Sequence, residues 1–317
     1  MKLEKRKIVI IGCGHVGVST AFCLINQVLC DEIALIDLNE EKVLGEVLDL
    51  SQSIEYMNCN THVKVGRYED CEDAQIVIIT ASVPTPQSGN DRLKMLEPSL
   101  NVMKSIITQI KEHHFDGHLI VVSNPVDLMS YYAYKLSGLP ANQVIGTGTT
   151  LDTARLKYFI AQKIQVDPRS VHAMVIGEHG DSEMIPWSTV RIGGKDIYSV
   201  VQDNQSRLGQ EPYQQMKKDT IQAGWEIFNR KGNTCYGIAS STVGIIRTIL
   251  HNENQILPVS TLLRGEYGQD DLFISVPAII DRSGVREIVE LRMTPQEQEE
   301  FNQSCQRLKS FYDLLNQ

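Results

Sequence analysis

The feature that most constrains this chain is a glycine-rich turn between an apolar run and an amphipathic segment. Lys7–Ile11 is a short β-branched run, Ile11-Gly-Cys-Gly-His-Val-Gly17 follows at once, and Val16–Val28 has helical patterning. Gly12, Gly14 and Gly17 keep the Gly-x-Gly-x-x-Gly spacing. The first allows a tight turn, the second a close approach of backbone to a pyrophosphate, and the third close packing of helix on strand. A helix beginning there presents free N–H groups and its positive dipole end to phosphate, around His15 and Val16. Asp37 ends the next apolar run, 20 residues beyond Gly17, where a ribose hydroxyl contact is expected. Its carboxylate repels a 2′-phosphate, and Leu38, Asn39 and Glu40 bring no compensating cation. The cofactor expected is therefore NAD. Read in isolation, the glycines could be ordinary turn residues and Asp37 a solvated strand end.

The same alternation continues. Glu32–Leu38, His62–Gly66, Gln75–Thr80, Leu119–Ser123 and Gln143–Gly148 are further near-continuous apolar runs, which suits parallel strands buried on both faces. Amphipathic segments such as Glu40–Leu50 and Leu93–His113 separate them. This predicts an α/β fold with a doubly wound parallel (Rossmann) sheet over residues 1–148. From 149 to 317 the pattern changes to an α+β substrate domain. Leu151–Gln162, Tyr213–Asn229 and Cys235–Leu250 read as helices, whereas Val171–Ile176, Leu257–Leu263, Leu272–Ile280 and Arg286–Met293 read as extended. Thr294-Pro-Gln-Glu297 has capping-box spacing with proline at the first helical position, so a last helix should start there.

Composition narrows the function. A chain of 317 residues is large for one core, and a formal charge of −9 disfavours nucleic acid and anionic membranes. The first apolar run is too short for a secretory leader or a membrane span. Only six residues precede the first strand, too few for a long N-terminal arm. Seven cysteines without a Cys-x-x-Cys pair argue against a disulfide framework or zinc site, so no metal is expected and the cytoplasm is the expected compartment.

The second half carries the chemistry. Leu151-Asp-Thr-Ala-Arg155 places Asp152 and Arg155 on one helix face, and Ile176-Gly-Glu-His-Gly-Asp181 places His179 among glycines after an extended run. Histidine changes charge near neutral pH and suits proton exchange with a substrate hydroxyl. Asp152 can orient its ring and stabilise its cation, and Arg155 can hold a carboxylate through two parallel hydrogen bonds. Either fragment alone would equally fit a surface ion pair and a loop histidine.

Taken together, the chain resembles the L-lactate/malate dehydrogenase family over essentially its whole length, most of all the bacterial L-lactate and L-2-hydroxyacid dehydrogenases. The stretches that carry the resemblance are Ile11–Gly17, Val122-Ser-Asn-Pro-Val-Asp127, Val144-Ile-Gly-Thr-Gly148, Leu151–Arg155, Gly177–Asp181, Lys231-Gly-Asn-Thr234 and Gly265-Glu-Tyr-Gly268. The resemblance implies reversible hydride transfer between NADH and a 2-keto acid. It makes His179 the general acid/base, Asp152 its partner and Arg155 the carboxylate clamp. Arg92 corresponds to the mobile-loop arginine that polarises the carbonyl. Asn124 corresponds to a contact of both nicotinamide and substrate oxygen, Thr234 to a substrate-pocket position, and Ile238 to the nicotinamide face. On the residues alone, Asn124 could be a turn former before Pro125, Thr234 a helix cap and Ile238 plain core. The resemblance further implies a homotetramer working in fermentative glycolysis. Lys157 and His172 stand where many bacterial members bind fructose 1,6-bisphosphate through an arginine and a histidine. A non-catalytic NAD sensor would not need Arg92, Asp152, Arg155 and His179 together. NAD-dependent glycosidases of related fold use a metal for which no Cys/His cluster is evident.

The loop Ser82-Val-Pro-Thr-Pro-Gln-Ser-Gly-Asn-Asp91 departs from the family pattern. Counting from the strand puts the substrate-discriminating position at Thr85, counting back from Arg92 puts it at Pro86, and Gln87 is one step further. With no Arg or Lys between 82 and 91, a second substrate carboxylate meets no cation, so malate is disfavoured. Pyruvate/lactate is expected first and a longer or branched 2-keto acid, as in L-2-hydroxyisocaproate dehydrogenases, second. Thr85→Arg or Pro86→Arg is predicted to raise oxaloacetate turnover relative to pyruvate. Steady-state rates on the two acids check this, and no gain from either change would mean that the discriminating position lies elsewhere.

Overall fold

The computed structural model describes residues 5–83 and 92–312; Thr85, Pro86, Gln87 and Asp91 lie outside the described residues. By contacts the chain forms two compact units. One comprises 1–147, 235–255 and 280–286, and the other 148–234, 256–279 and 287–317.

In chain order, the first unit begins with β1 (Lys7–Ile11), α1 (His15–Asn26), β2 (Glu32–Ile36), α2 (Glu40–Ser53), β3 (His62–Val65), β4 (Ile76–Ile79), α3 (Arg92–Glu112), β5 (His118–Val121), α4 (Val126–Ser137) and β6 (Val144–Gly146). The strands lie in the order β3-β2-β1-β4-β5-β6. Every pair is parallel, with Ile8 opposite Ile33 on one side and Ile76 on the other. All residues of β1, β2 and β4 are buried, as strands covered on both faces must be, and this is why they read as unbroken apolar runs. Strand order reverses between β1 and β4, and in an open α/β sheet ligands bind beyond the carboxyl ends of the strands at that reversal. The glycine turn leaves β1 at this point.

The second unit starts with α5 (Thr150–Ile164), followed by β7 (Val171–His172), β8 (Arg191–Ile192), β9 (Lys195–Asp196), α6 (Ile197–Asp203), α7 (Gln205–Leu208) and α8 (Pro212–Lys231). Then come α9 (Tyr236–Leu250), β10 (Gln255–Arg264), β11 (Asp270–Asp281), β12 (Gly284–Ile288) and α10 (Pro295–Lys309). α9 lies within the first unit and packs on α1. β7, β8 and β9 form a small antiparallel sheet. Leu156, Ile160, Val171, Val190, Ile197 and Met216 make a core under α5 and α8, closed by an edge-to-face contact of Trp187 and Tyr213 at 5.1 Å.

Two departures from the sequence pattern have physical reasons. The extended run 171–176 keeps only two residues as strand. Beyond them it makes single bridges, Ile176 to Met184 and Gly177 to Ser275, because the backbone must turn to present the next loop. Residues 197–208 fold as two short helices that no periodicity announced; at seven and four residues they are too short to show one. The start of α10 is as the sequence predicts. Thr294 Oγ1 accepts from Glu297 N–H, and the Glu297 carboxylate accepts from Thr294 N–H at 2.8 Å. Glu297 also accepts from Ser188 N–H and Oγ–H at 2.9 and 2.6 Å, so the cap anchors the 186–190 turn as well.

Candidate active site

In the first unit, Gly12 has φ +103° and a side chain there would meet the Ala81 backbone nitrogen at 2.4 Å. A Cβ on Gly17 would lie 2.0 Å from the Gly12 carbonyl oxygen. Both positions therefore exclude every other residue. Gly14 differs: nothing stands within 4 Å of where its Cβ would be, so its exposed face is open to an incoming group. Gly14 is also the N-cap of α1, and no side chain among the described residues caps that helix end. An uncapped helix start behind an open glycine fits a dinucleotide pyrophosphate. His15 is exposed and Val16 half-buried on the first turn.

Asp37 accepts hydrogen bonds from Cys13 N–H at 2.7 Å and Asn39 N–H at 3.1 Å, so its carboxylate is fixed beside the turn. A cation does stand nearby: Lys42, one turn into α2, donates to the Cys13 carbonyl at 2.7 Å. The immediate followers of Asp37 gave no sign of it, because the helix returns a residue five positions on. The two bonds clamp the Cys13 residue from both sides. Asn124 is exposed at the end of β5 and Ile238 half-buried in the first turn of α9, both within the first unit.

The second unit holds the expected acid/base, His179, and its carboxylate partner. Asp152 Oδ2 is 2.6 Å from His179 Nδ1, and Asp152 Oδ1 accepts from Arg155 Nη1 at 2.8 Å. The Asp152 side chain is 3% exposed, Arg155 14% and His179 26%, so the carboxylate is inside and its partners reach outward. Burial opposes ionisation of Asp152, but the charge and hydrogen bond of His179, and then those of Arg155, outweigh it and hold its carboxyl below the ordinary value. A carboxylate at Nδ1 fixes the tautomer and leaves Nε2 for the substrate.

The scaffold behind this pair is built from hydroxyls. Thr149 Oγ1 donates to the Val175 carbonyl at 2.6 Å, Thr153 Oγ1 accepts from Val175 N–H at 2.9 Å, and Ser275 Oγ accepts from Thr149 N–H at 3.1 Å. The first two bonds stitch the start of α5 to the segment that leads into His179, and the third ties it to β11. The loop itself hangs on α10: Ser304 Oγ accepts from Glu178 N–H at 2.8 Å, and Arg307 pairs with Glu178 at 3.2 Å and Asp181 at 3.5 Å. Gly177, at φ +96°, leaves Ser304 Oγ the space a Cβ would take.

Two residues of this unit escaped the sequence reading. Glu183 is buried, with a carboxylate oxygen inside the Asp152–His179 cluster, where the ligand atoms all lie within 4.8 Å of one another. Such a triad can hold a metal, but Asp152 already spends one oxygen on His179 and the other on Arg155. In sequence Glu183 is one more acid in a polar run. Gly224, on α8, faces the Arg155 guanidinium, which lies 3.4 Å from where its Cβ would be. Thr234 is half-buried; the N-cap of α9 is Cys235 and no side chain among the described residues caps that end, so Thr234 does not serve as a cap. Arg92 opens α3, and its side chain lies outside the described residues.

Gly224→Ala places a methyl at ordinary contact distance from Arg155, whereas Gly224→Leu must push the guanidinium aside. Leucine is predicted to weaken binding of a small 2-oxo acid anion at least about tenfold, a loss of about 1.4 kcal/mol, with alanine close to wild type. Titrations of both variants decide it, and equal affinities would show that Arg155 is not held by this face.

Comparison with known proteins agrees with this geometry. Residues 6–146 match the profile of the lactate/malate dehydrogenase NAD binding domain, and 149–315 that of the lactate/malate dehydrogenase alpha/beta C-terminal domain. Over 315 residues the chain is 46% identical to L-lactate dehydrogenase 3 of Bacillus anthracis, covering 99% of each. It is 45% identical to an L-lactate dehydrogenase of Lactococcus lactis subsp. cremoris, covering 99% of this chain and 100% of that one. Among solved structures, the ligand-bound minor L-lactate dehydrogenase from Enterococcus mundtii superposes with a TM-score of 0.94 at 45% identity, covering 98% of this chain and 99% of the other. With both halves matched in order and along nearly their full length, the chain belongs to the lactate/malate dehydrogenase family, the NAD-dependent dehydrogenases of 2-hydroxy acids.

Proposed function

We propose that the chain is an L-lactate dehydrogenase that interconverts pyruvate and (S)-lactate, with the domain division at 148/149. The observation that carries this reading is the Arg155–Asp152–His179 chain of contacts, one guanidinium and one imidazole on the two oxygens of a single buried carboxylate. The name L-lactate dehydrogenase, borne by relatives at about 45% identity along the whole chain, supports reading pyruvate as the substrate ahead of a longer 2-keto acid or oxaloacetate.

When bound, NAD(H) supplies or accepts the hydride, and the open face of Gly14, the uncapped start of α1 and the fixed Asp37 carboxylate suit it. In the reducing direction, His179 carries a proton on Nε2 and gives it to the oxygen of the keto group. Asp152 keeps the ring in the tautomer this needs and stabilises its charged form. Arg155 holds the substrate carboxylate and so fixes which face of the carbonyl is presented. Arg92 stabilises the developing negative oxygen. By the family resemblance, Asn124 and Ile238 would help hold the nicotinamide, and Asn124, Thr234, Pro86 and Gln87 would bear on the substrate.

Assembly, regulation and compartment belong to the same proposal. Exposed Tyr158, Trp225, Ile227 and Phe228 on α5 and α8 supply apolar surface for a homotetramer. Lys157 is half-buried, burial pushes its ammonium pKa down, and it has no acidic partner among the described residues. A desolvated cation of this kind suits an anionic effector, so we take Lys157 with His172, exposed on β7, as a fructose 1,6-bisphosphate site. Cys13, Cys23, Cys30, Cys59 and Cys71 as thiols, and no helix of the described residues long and apolar enough to cross a membrane, agree with a cytoplasmic enzyme.

His179→Asn is expected to lower pyruvate-dependent NADH oxidation at least about 10²-fold, the scale of a lost general acid, while NADH still binds. Undiminished turnover would overturn the assignment. Rates at low pyruvate, and sedimentation, are expected to show a lower KM and a tetramer with fructose 1,6-bisphosphate present. Identical behaviour without it would remove the effector site.

A further inference from the structure

One titratable group in this pocket has no part in the proposed chemistry. Glu183 is 3% exposed and its Oε1 has no hydrogen-bond partner among the described residues. One of its carboxylate oxygens lies within 4.8 Å of the ligand atoms of Asp152 and His179. The charged and titratable groups around it are Asp152 and Arg155 from α5, His179 from its own loop and Lys217 from α8. Burial, and next the charge of Asp152, raise its carboxyl well above the ordinary carboxylate value, against the opposing pull of His179, Arg155 and Lys217. Two carboxylates in so small and dry a space cannot both ionise cheaply. Asp152 accepts from Arg155 and shares a hydrogen bond with His179, whereas Glu183 has no cation in hydrogen-bond contact among the described residues, so the negative charge settles on Asp152 and the proton on Glu183.

We propose that Glu183 is a positioning residue that keeps its proton at neutral pH and thereby sets the charge of the pocket that receives the substrate anion. The proposal rests on the lactate dehydrogenase reading. Oxidation of a 2-hydroxy acid needs His179 neutral so that it can take the hydroxyl proton. In that state Arg155 and Asp152 cancel, and a neutral Glu183 adds no negative charge to repel the substrate carboxylate. Loss of the Glu183 proton in alkaline solution adds a negative charge beside Arg155, opposing the anion that Arg155 must hold. Lactate oxidation therefore rises with pH as His179 loses its proton and falls again as Glu183 loses its own.

The test compares the wild-type enzyme with Glu183→Gln and, should that variant fold poorly, Glu183→Met. In the wild type, kcat/KM for lactate oxidation should show an alkaline limb that both variants lack. One pH unit above the midpoint of that limb, the variants should retain roughly ten times more of their plateau value. Two further readouts need no substrate. The infrared carbonyl band of a buried protonated acid should be present at neutral pH in the wild type and absent in both variants. Because the folded-state pKa of Glu183 lies above its unfolded value of 4.5, its contribution to folding is fully present below that pH and is lost progressively as pH rises through the folded value. The Tm gain of Glu183→Gln over wild type should thus widen from pH 4.5 upward. A retained alkaline limb in an active variant, a wild type without the acid band, or a Tm difference that is flat or narrows with pH would each overturn the proposal. A wild type inactive on lactate would sink the functional reading instead, leaving the infrared and thermal measurements to judge Glu183.

Discussion

A single buried negative charge organises the catalytic half of this protein. Asp152 is 98% shielded from solvent, and an isolated carboxylate so placed would take up a proton to avoid the desolvation cost. It stays ionised because each oxygen has its own cation, the imidazole at 2.6 Å and the guanidinium at 2.8 Å. The dependence also runs the other way. Without that charge the ring would lose its fixed tautomer and the guanidinium its anchor. The proton transfer and anion capture proposed for this site would therefore both rest on one electrostatic arrangement, and a second ionised carboxylate nearby would upset both. Glu183 stands close enough to do so, which makes its protonation state part of the site.

The geometry that supports this charge comes from parts far apart in the chain. Thr149 and Thr153, flanking Asp152, bind the backbone of Val175, four residues before His179. Ser304 and Arg307, more than a hundred residues later, hold the loop in which the histidine sits. Hydroxyl-to-backbone bonds are short and directional, so they set positions more tightly than apolar packing does. In the first unit, bonds from Cys13 N–H to Asp37 and from Lys42 to the Cys13 carbonyl hold the glycine turn in a similar way.

Much of this could be read from the chain directly. The unbroken apolar runs of β1, β2 and β4 announced strands covered on both faces. Gly12 and Gly17 announced a turn that tolerates no Cβ, and Thr294 with Glu297 announced a helix start. Asp152 and Arg155, three apart, had to share a helix face. Other features left no trace. Val171–Ile176 has strand composition throughout yet keeps only two residues of strand, because the bridges to Met184 and Ser275 bend it. Glu183 and Lys42 are ordinary surface residues by composition. Only the fold buries the first and curls the second back to the turn.

The sequence by itself determined the parallel sheet, the glycine turn after its first strand and the residues proposed as acid, base and anion clamp. Each of these depends on local periodicity or on the spacing of a few neighbouring residues. Tertiary structure alone decided which oxygen of Asp152 faces which cation, what the second carboxylate encounters, and which helix face leaves room for Arg155 at Gly224. Those outcomes depend on distances between segments far apart in the chain, and side-chain spacing along one segment carries no information about a separation set by packing against another.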